Sequence, residues 1–346
     1  MTPHQPLEVL GAPGSPYTRK LIAALRYRQI PHRVLWGDAA AELEARGLPP
    51  RKVALLPTLL LHEDSTSTVM VDTTPIISHL DTLYERRRLR PDHDPALAFI
   101  DALIEDYADE WCTKMMFHYR WHYPADEHFC AATLPLAIAP GLTSTEAQQL
   151  GNAFAHRQKD RLRYVGSNET TAPFIEASYA TLLNILNQLL EEQRFCLGDI
   201  PGAGDFALYG QLTQLVHYDP TPRALAAAHS PRTIAWTAAL EDLSGLQVAP
   251  EHWRSVTNLA AGTHRLLAEI GRVYVPLLIA NHQAAESRQT TFLTALDGAP
   301  WEQDTFPYQV RCLAALRTRF EALTPAEQQA VRHCLDGSGC EALLPP

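Results

Sequence analysis

The sequence predicts a mixed α/β domain up to residue 88, an all-helical domain over residues 89–250, and a further helical extension over 251–346. Three observations carry this reading. Short β-like stretches alternate with helical periodicity along the first part of the chain. A charged, proline-bounded segment without apolar period, "ERRRLRPDHDP" (85–95), then reads as a linker. Beyond it the strand signals mostly vanish, and long amphipathic helices take over.

The elements follow in order. "LEVLGA" (7–12) is β-like, whereas "YTRKLIAALRYRQ" sets Leu21, Ile22, Leu25 and Tyr27 on one helical side. "HRVLWG" (32–37) is a second strand, and "DAAAELEARG" a short helix ending at Gly47. "PTLLLH" and "TVMVD" are strands separated by "EDSTS", whose length and polarity suit a hairpin loop. "TTPIISHLDTLYERR" closes the set as a helix. The order βαβ then ββα implies one parallel pair with an antiparallel hairpin beside it, a small mixed sheet with helices on its faces.

In "ALAFIDALIEDYADEWCTKMMFHYRWHY", Ile100, Leu103, Ile104, Tyr107 and Trp111 recur at helical spacing, with Asp101, Glu105, Asp106 and Asp109 on the opposite side. "SYATLLNILNQLLEEQ", "DFALYGQLTQLVHY" and "SPRTIAWTAALEDL" continue the helical pattern. The extension offers two more helical stretches joined by the turn-rich "LDGAPWEQDTFP". The sequence has no internal repeat.

Composition narrows the function classes. Charged residues make up 20% of 346, with a formal net charge of −10, so no basic face is on offer to phosphate backbone and nucleic acid is not an expected partner. The 6 cysteines are scattered without a CxxC pair, as expected in a reducing cytoplasm. "MTPHQPLEVLG" lacks the basic start and apolar run of an export signal. "LLAEIGRVYVPLLIAN" is apolar but carries Glu269, Arg272 and Pro276, so it reads as a core helix and not as a membrane span.

Four segments, "SPYTRK", "LLPTLLL", "VDTTPIISHL" and "LGDIPGAGDFALYGQL", resemble in order and separation the motifs of the glutathione S-transferase superfamily, over about residues 5–245. The resemblance implies a thioredoxin-like N-terminal domain, with glutathione as co-substrate and no metal. Ser15 would lie near the glutathione sulfur, with Tyr17 as the rival contact. Leu56 would pair its backbone with the cysteinyl part beside a cis Pro57, and Asp72 with Thr73 would hold the γ-glutamyl group. It further implies thiolate attack on a small hydrophobic electrophile, or a non-catalytic binding or scaffold role on the same fold, and a homodimer. The long interval between "FHYRWHYP" and "RFCLGD", and the tail after residue 250, depart from a compact transferase. In these respects the chain is similar to a longer bacterial branch in which "DEWxxKxxFHYRW" recurs.

Each site residue also has a reading of its own. Ser15 before Pro16 is a good helix start whatever the function, yet the same N-terminus favours a thiolate over a thiol. The absence of cysteine at this turn argues against chemistry that needs a protein thiolate. Pro57 suits an edge strand as well as a cis-proline loop. Asp72 or Thr73 can cap the helix that follows, or that helix N-terminus can take a ligand carboxylate while Asp72 meets an α-ammonium. Gly202 stands where the capping box usually has Ser or Thr, which leaves Asp205 to cap alone. In "WCTKMMFHYRWHYP", His118 and His122 share a helical face, a spacing that with a carboxylate such as Asp126 offers three metal ligands but lacks the HExxH context. Trp111, His118, Tyr119 and Trp121 suit either a second-substrate pocket facing the thiol site or an aromatic seam between domains.

Overall fold

In the computed structural model the described residues are 5–345, apart from 52, 54, 64 and 65. Strand β1 (Leu7–Gly11) is buried at every position because it lies between two neighbours. It pairs parallel with β2 (His32–Trp36), Val9 opposite Val34, and antiparallel with β3 (Thr58–Glu63), Val9 opposite Leu59. β3 in turn pairs antiparallel with β4 (Thr66–Val71), giving the order β2-β1-β3-β4. The period of two assigns side chains to faces. Leu7, Val9, Leu59 and Leu61 meet helices α1 (Pro16–Tyr27) and α3 (Thr73–Leu83), while Leu10 and Leu60 meet α2 (Ala39–Ala45) on the other face. This is a thioredoxin-like sheet with helices on both faces.

Two local expectations need correction. The strands flanking "EDSTS" run inward to Glu63 and Thr66, so most of the expected loop is strand, and residues 64 and 65 lie outside the described residues. The β-branched Thr68 suits a ladder as well as a loop. Helix α3 stops at Leu83, where Tyr84 turns extended, and does not reach Arg87.

Helix α4 (Pro95–Tyr107) passes through a wide π turn (Ala108–Cys112) into α5 (Thr113–His122) without a break in direction of chain. There follow α6 (Pro124–Ile138), α7 (Ser144–Lys159), α8 (Leu162–Val165), α9 (Ala172–Glu192), α10 (Ala203–Leu212), α11 (Pro220–His229), α12 (Pro231–Leu240), α13 (Ala261–Glu269) and α14 (Val275–Glu286). A hairpin of β5 (Thr291–Leu296) and β6 (Ala299–Asp304) leads into α15 (Pro307–Glu321) and α16 (Pro325–Leu335). The extension is therefore not wholly helical. Its "LDGAPWEQD" segment forms a two-residue turn in which Asp297 and Gly298 both take positive φ, 49° and 78°, the backbone that a tight hairpin demands.

The extension also shares its core with the helical domain. One apolar cluster runs from Ala96 and Phe99 through Leu186 and Leu212 to Leu278, Phe320 and Leu343. The polar side of α4 consequently does not face water: Asp101 and Glu105 are each 1% exposed and Asp109 8%. A helix packed on several sides must find partners for its charges, and here each acid has one. Asp101 accepts from the amides of Ala203 and Gly204 at 3.2 and 3.0 Å, which corrects the expectation that Asp205 caps α10 alone. Asp205 bonds the amides of Gly202 and Cys196, and Asp101 takes the place of the missing N-cap side chain. Among the described residues, no helix is long and apolar enough to cross a membrane.

Candidate functional site

A cavity of about 890 Å³ lies where the N-terminal domain, the α4–α7 region and the start of α15 meet. Ser15, Tyr17, Leu56, Asp72 and Thr73 all line it. Ser15 is the N-cap of α1, with its Oγ accepting from the Thr18 amide at 3.2 Å. That bond uses a lone pair and leaves the hydroxyl proton free to donate, so the capping and ligand readings are compatible in one side chain.

Tyr17 is engaged elsewhere. Its hydroxyl donates to the Asp109 carbonyl at 2.8 Å and lies 2.8 Å from Thr113 Oγ1, tying α1 to the π turn. Burial first, then the Glu110 and Asp109 charges, push its phenol well above the ordinary value. Arg120 fastens the turn that precedes α1. Its guanidinium donates to Asp219 at 3.0 and 3.1 Å, to Gln214 at 2.7 Å, and to the Gly14 carbonyl, next to Ser15, at 2.9 Å.

The Leu56–Pro57 peptide is cis, as expected. Leu56 reaches the cavity, and Pro57 is buried behind it. Asp72 takes φ 73°, ψ 120°, a backbone region that disfavours side-chain-bearing residues by about 1–3 kcal/mol. Its Oδ1 accepts from the Thr74 amide at 3.3 Å, making Asp72 the cap of α3. Oδ2 accepts from the hydroxyl of Tyr308, in the extension, at 2.6 Å. Thr73 is 2% exposed, and its neighbour Thr74 donates to Glu105 at 3.0 Å.

Below this lies a layer of buried charge. Lys20, 1% exposed, donates to Glu105 at 2.9 Å and to Asp109 at 2.6 Å, and Arg90 also pairs with Glu105. Burial would raise Glu105, but Arg90 and Lys20 outweigh it and hold the carboxyl low. Asp109 has less cationic help: burial, opposed by Lys20 and reinforced by Glu105, raises it. The next residue, Glu110, is raised by burial and by Asp106, and Lys114 is lowered by burial. Lys114 is held by Gln303 of the hairpin at 2.8 Å, and Glu110 by Gln309 of α15 at 3.2 Å.

The cavity continues into an apolar arm lined by Met116, Phe117, Trp121, Leu134, Ile138 and Phe154. Of the residues expected to form a second-substrate pocket, Trp121 is there and the others are not. Trp111 is buried against Trp301, with its indole donating to Ser178 at 2.9 Å. His118 bonds Ser167 at 2.8 Å and Glu176 at 3.3 Å, and burial pushes its pKa down. Tyr119 packs on Tyr179 within the helical core. Glu110, Thr113, Lys114, Phe117 and Trp121 recur every three or four residues and face the cavity together, whereas Tyr119, two positions from Trp121, lies about 200° round the helix. The rings of His118 and His122 stack at 4.6 Å, while Asp126 bonds the Thr221 amide at 2.9 Å. Among the described residues these groups do not converge as metal ligands.

Sequence reasoning missed Lys20, Arg120 and Tyr308. Lys20 follows Arg19 in a basic stretch that looks solvated, Arg120 lies inside an aromatic run that drew attention to its rings, and Tyr308 carries no local signal.

Residues 9–88 match the family described as glutathione S-transferase, N-terminal domain. Over these residues the chain is similar to that N-terminal domain. Several solved structures of this superfamily are similar to the chain in fold. A GST-like protein from Pseudomonas syringae is 15% identical, with a TM-score of 0.43, over 68% of this chain and 66% of that one. Poplar glutathione transferase F1 is 15% identical, with a TM-score of 0.39, over 68% and 92%. Maleylacetoacetate isomerase from Anaeromyxobacter dehalogenans 2CP-1, which holds dicarboxyethyl glutathione and citrate, is 15% identical, with a TM-score of 0.36, over 71% and 88%. No curated protein matches significantly.

Proposed function

We propose that the cavity binds glutathione and that the bound thiolate attacks a small apolar electrophile. One observation carries the reading: the N-terminus of α1 at Ser15, the cis-proline loop at Leu56 and the N-terminus of α3 at Asp72 and Thr73 line a single cavity that opens into an apolar arm. A helix N-terminus stabilises negative charge, so a sulfur placed at Ser15 loses its proton more readily, and the Ser15 hydroxyl adds a hydrogen bond to the thiolate. The N-terminus of α3 suits the γ-glutamyl carboxylate, and Asp72 suits its α-ammonium. The sulfur lone pair forms the new C–S bond as the leaving group departs with its electron pair. Trp121, Phe117 and Met116 give the acceptor an apolar surface and keep bulk water off the thiolate. The working form is proposed to be a cytoplasmic homodimer.

Calorimetry with glutathione on the wild type and on Asp72→Ala tests the binding step. Micromolar to millimolar affinity that the substitution abolishes, on the usual scale of small-ligand sites, supports it. An aryl-halide conjugation assay then separates a transferase from a binding protein. Absence of glutathione binding to the wild type rejects the reading.

A further inference from the structure

The C-terminal extension does more than cover the core, because one of its side chains reaches the polar end of the cavity. Tyr308, at the start of α15, donates its hydroxyl to Oδ2 of Asp72 at 2.6 Å across 236 positions of sequence. From these contacts we propose that Tyr308 is a positioning residue of the thiol-peptide site: it holds the Asp72 carboxylate where the ligand's α-ammonium arrives. The inference rests on the glutathione reading and extends it to a part of the chain outside the recognised domain.

Asp72 needs such a support. It is half-buried, its backbone lies in an unfavourable region, and its other carboxylate oxygen has the Thr74 amide at 3.3 Å, the long end of hydrogen bonding. A carboxylate held at one oxygen swings, and a ligand that must first still it binds less tightly.

Tyr308 is rigidly placed to do this. Asn281, fully buried on α14, bonds both sides of Phe306: it accepts from the Phe306 amide at 2.8 Å and donates to the Phe306 carbonyl at 3.0 Å. The Phe306 ring lies 6.2 Å from that of Tyr308, and the Arg311 guanidinium sits 5.0 Å over the Tyr308 ring. The next residue, Gln309, is 1% exposed and anchored on Glu110. This is a fixed wall and not a loose strap.

The chemistry of the contact also favours support over competition. Burial, with Asp72 beside it, raises the tyrosine pKa, so the phenol stays a neutral donor. A lysine or arginine in that position would neutralise Asp72. A phenol fixes the carboxylate and leaves its negative charge, with the remaining lone pairs, to a cationic ligand group.

The test is Tyr308→Phe, which keeps the ring and its packing and removes the hydroxyl. Glutathione is expected to bind about tenfold more weakly, in the range that the loss of one hydrogen bond to a charged group produces. In the conjugation assay KM for glutathione rises to match, while kcat at saturating glutathione stays within about twofold, since the α-ammonium is remote from the reacting sulfur. A glutathione analogue lacking the α-amino group binds wild type and variant alike. Unchanged or tighter glutathione binding by Tyr308→Phe overturns the inference, and so does an equal loss for the deaminated analogue. If the folded wild type binds neither ligand, the glutathione reading falls and takes this one with it, an outcome distinguishable from failure at Tyr308 alone.

Discussion

Replacing Gly202 by serine would restore the usual capping-box residue at the start of α10, yet the geometry predicts that it destabilises the protein. The α10 N-terminus is already served: Asp205 bonds back to the Gly202 amide at 2.9 Å, and Asp101 accepts from Ala203 and Gly204. A Cβ on Gly202 would stand 2.2 Å from Asp101 Oδ1 and 3.0 Å from its Cγ, too close for either atom. The carboxylate must move. Losing its capping bonds costs about 1–2 kcal/mol, and crowding in a packed interior about 1–3 kcal/mol. The serine's own cap returns about 1 kcal/mol. The expected net loss is about 1–4 kcal/mol, read as a lower urea midpoint at unchanged slope. With Asp101→Ala in place, the serine has room, and Gly202→Ser becomes neutral or stabilising. A coupling of at least about 1 kcal/mol in this double-mutant cycle is therefore expected. Gly202→Ser matching or exceeding wild-type stability with Asp101 intact would refute the argument.

Three further outcomes follow from the buried charges and the first helix. Lys20→Met leaves Glu105 and Asp109 without their shared cation and should cost about 3–5 kcal/mol in urea unfolding, partly recovered by adding Asp109→Asn. Burial chiefly lifts Asp101 to about 7 and Asp106 and Asp205 to about 6, above their unfolded values near 4. Their contribution is fully present below about pH 4 and fades as pH rises through 6–7, by up to about 1.4 kcal/mol per pH unit for each group. Lys114, lowered by burial, works the other way above neutrality, and His118, also lowered, weakens the fold on acidification below its unfolded value. Asp109 and Glu110, also raised by burial, lose stability over the same range and tip the balance, so the thermal midpoint should be higher near pH 6 than at pH 8, and a midpoint that rises toward pH 8 contradicts these assignments. Ser15→Ala should cost about 1 kcal/mol of stability through the lost cap and raise the pKa of the bound thiol by about one unit, seen in thiolate ultraviolet absorbance.

Much of the N-terminal domain was legible because its strands and helices announce themselves locally, by alternation, by capping residues and by prolines. Ser15, Leu56, Asp72 and Thr73 were named through the family resemblance and not by local pattern, which left each of them an ordinary capping or strand role; the fold sets all four around one cavity. The long helix misled for a physical reason. Its aromatic residues are spread round the helix, so Trp111, His118 and Tyr119 face the core while Trp121 shares the cavity side with Lys114 and Phe117, and residue type alone does not say which side is which. The acids of α4 looked like a solvated stripe because their partners are remote: Lys20 is 85 positions from Glu105. Nothing local tells a buried ion pair from an exposed one. The β5–β6 hairpin was readable in principle from Asp297-Gly298, but "APWEQD" is too polar and proline-marked to look like a strand.

The α4–α5 helix answers to every part of the molecule at once. Glu105 meets Lys20 and Thr74 from the N-terminal domain, Asp101 meets the α10 amides, Asp106 accepts from Tyr274 at 2.6 Å, and Glu110 meets Gln309. Such a helix cannot drift one residue at a time. Among natural variants of this chain, a change at Asp106 should arrive together with one at Tyr274, and the loss of Lys20 with the loss of an acid at 105 or 109. The helix is in effect a written record of which distant residues must change in step, and paired substitution across lineages is where that record can be read.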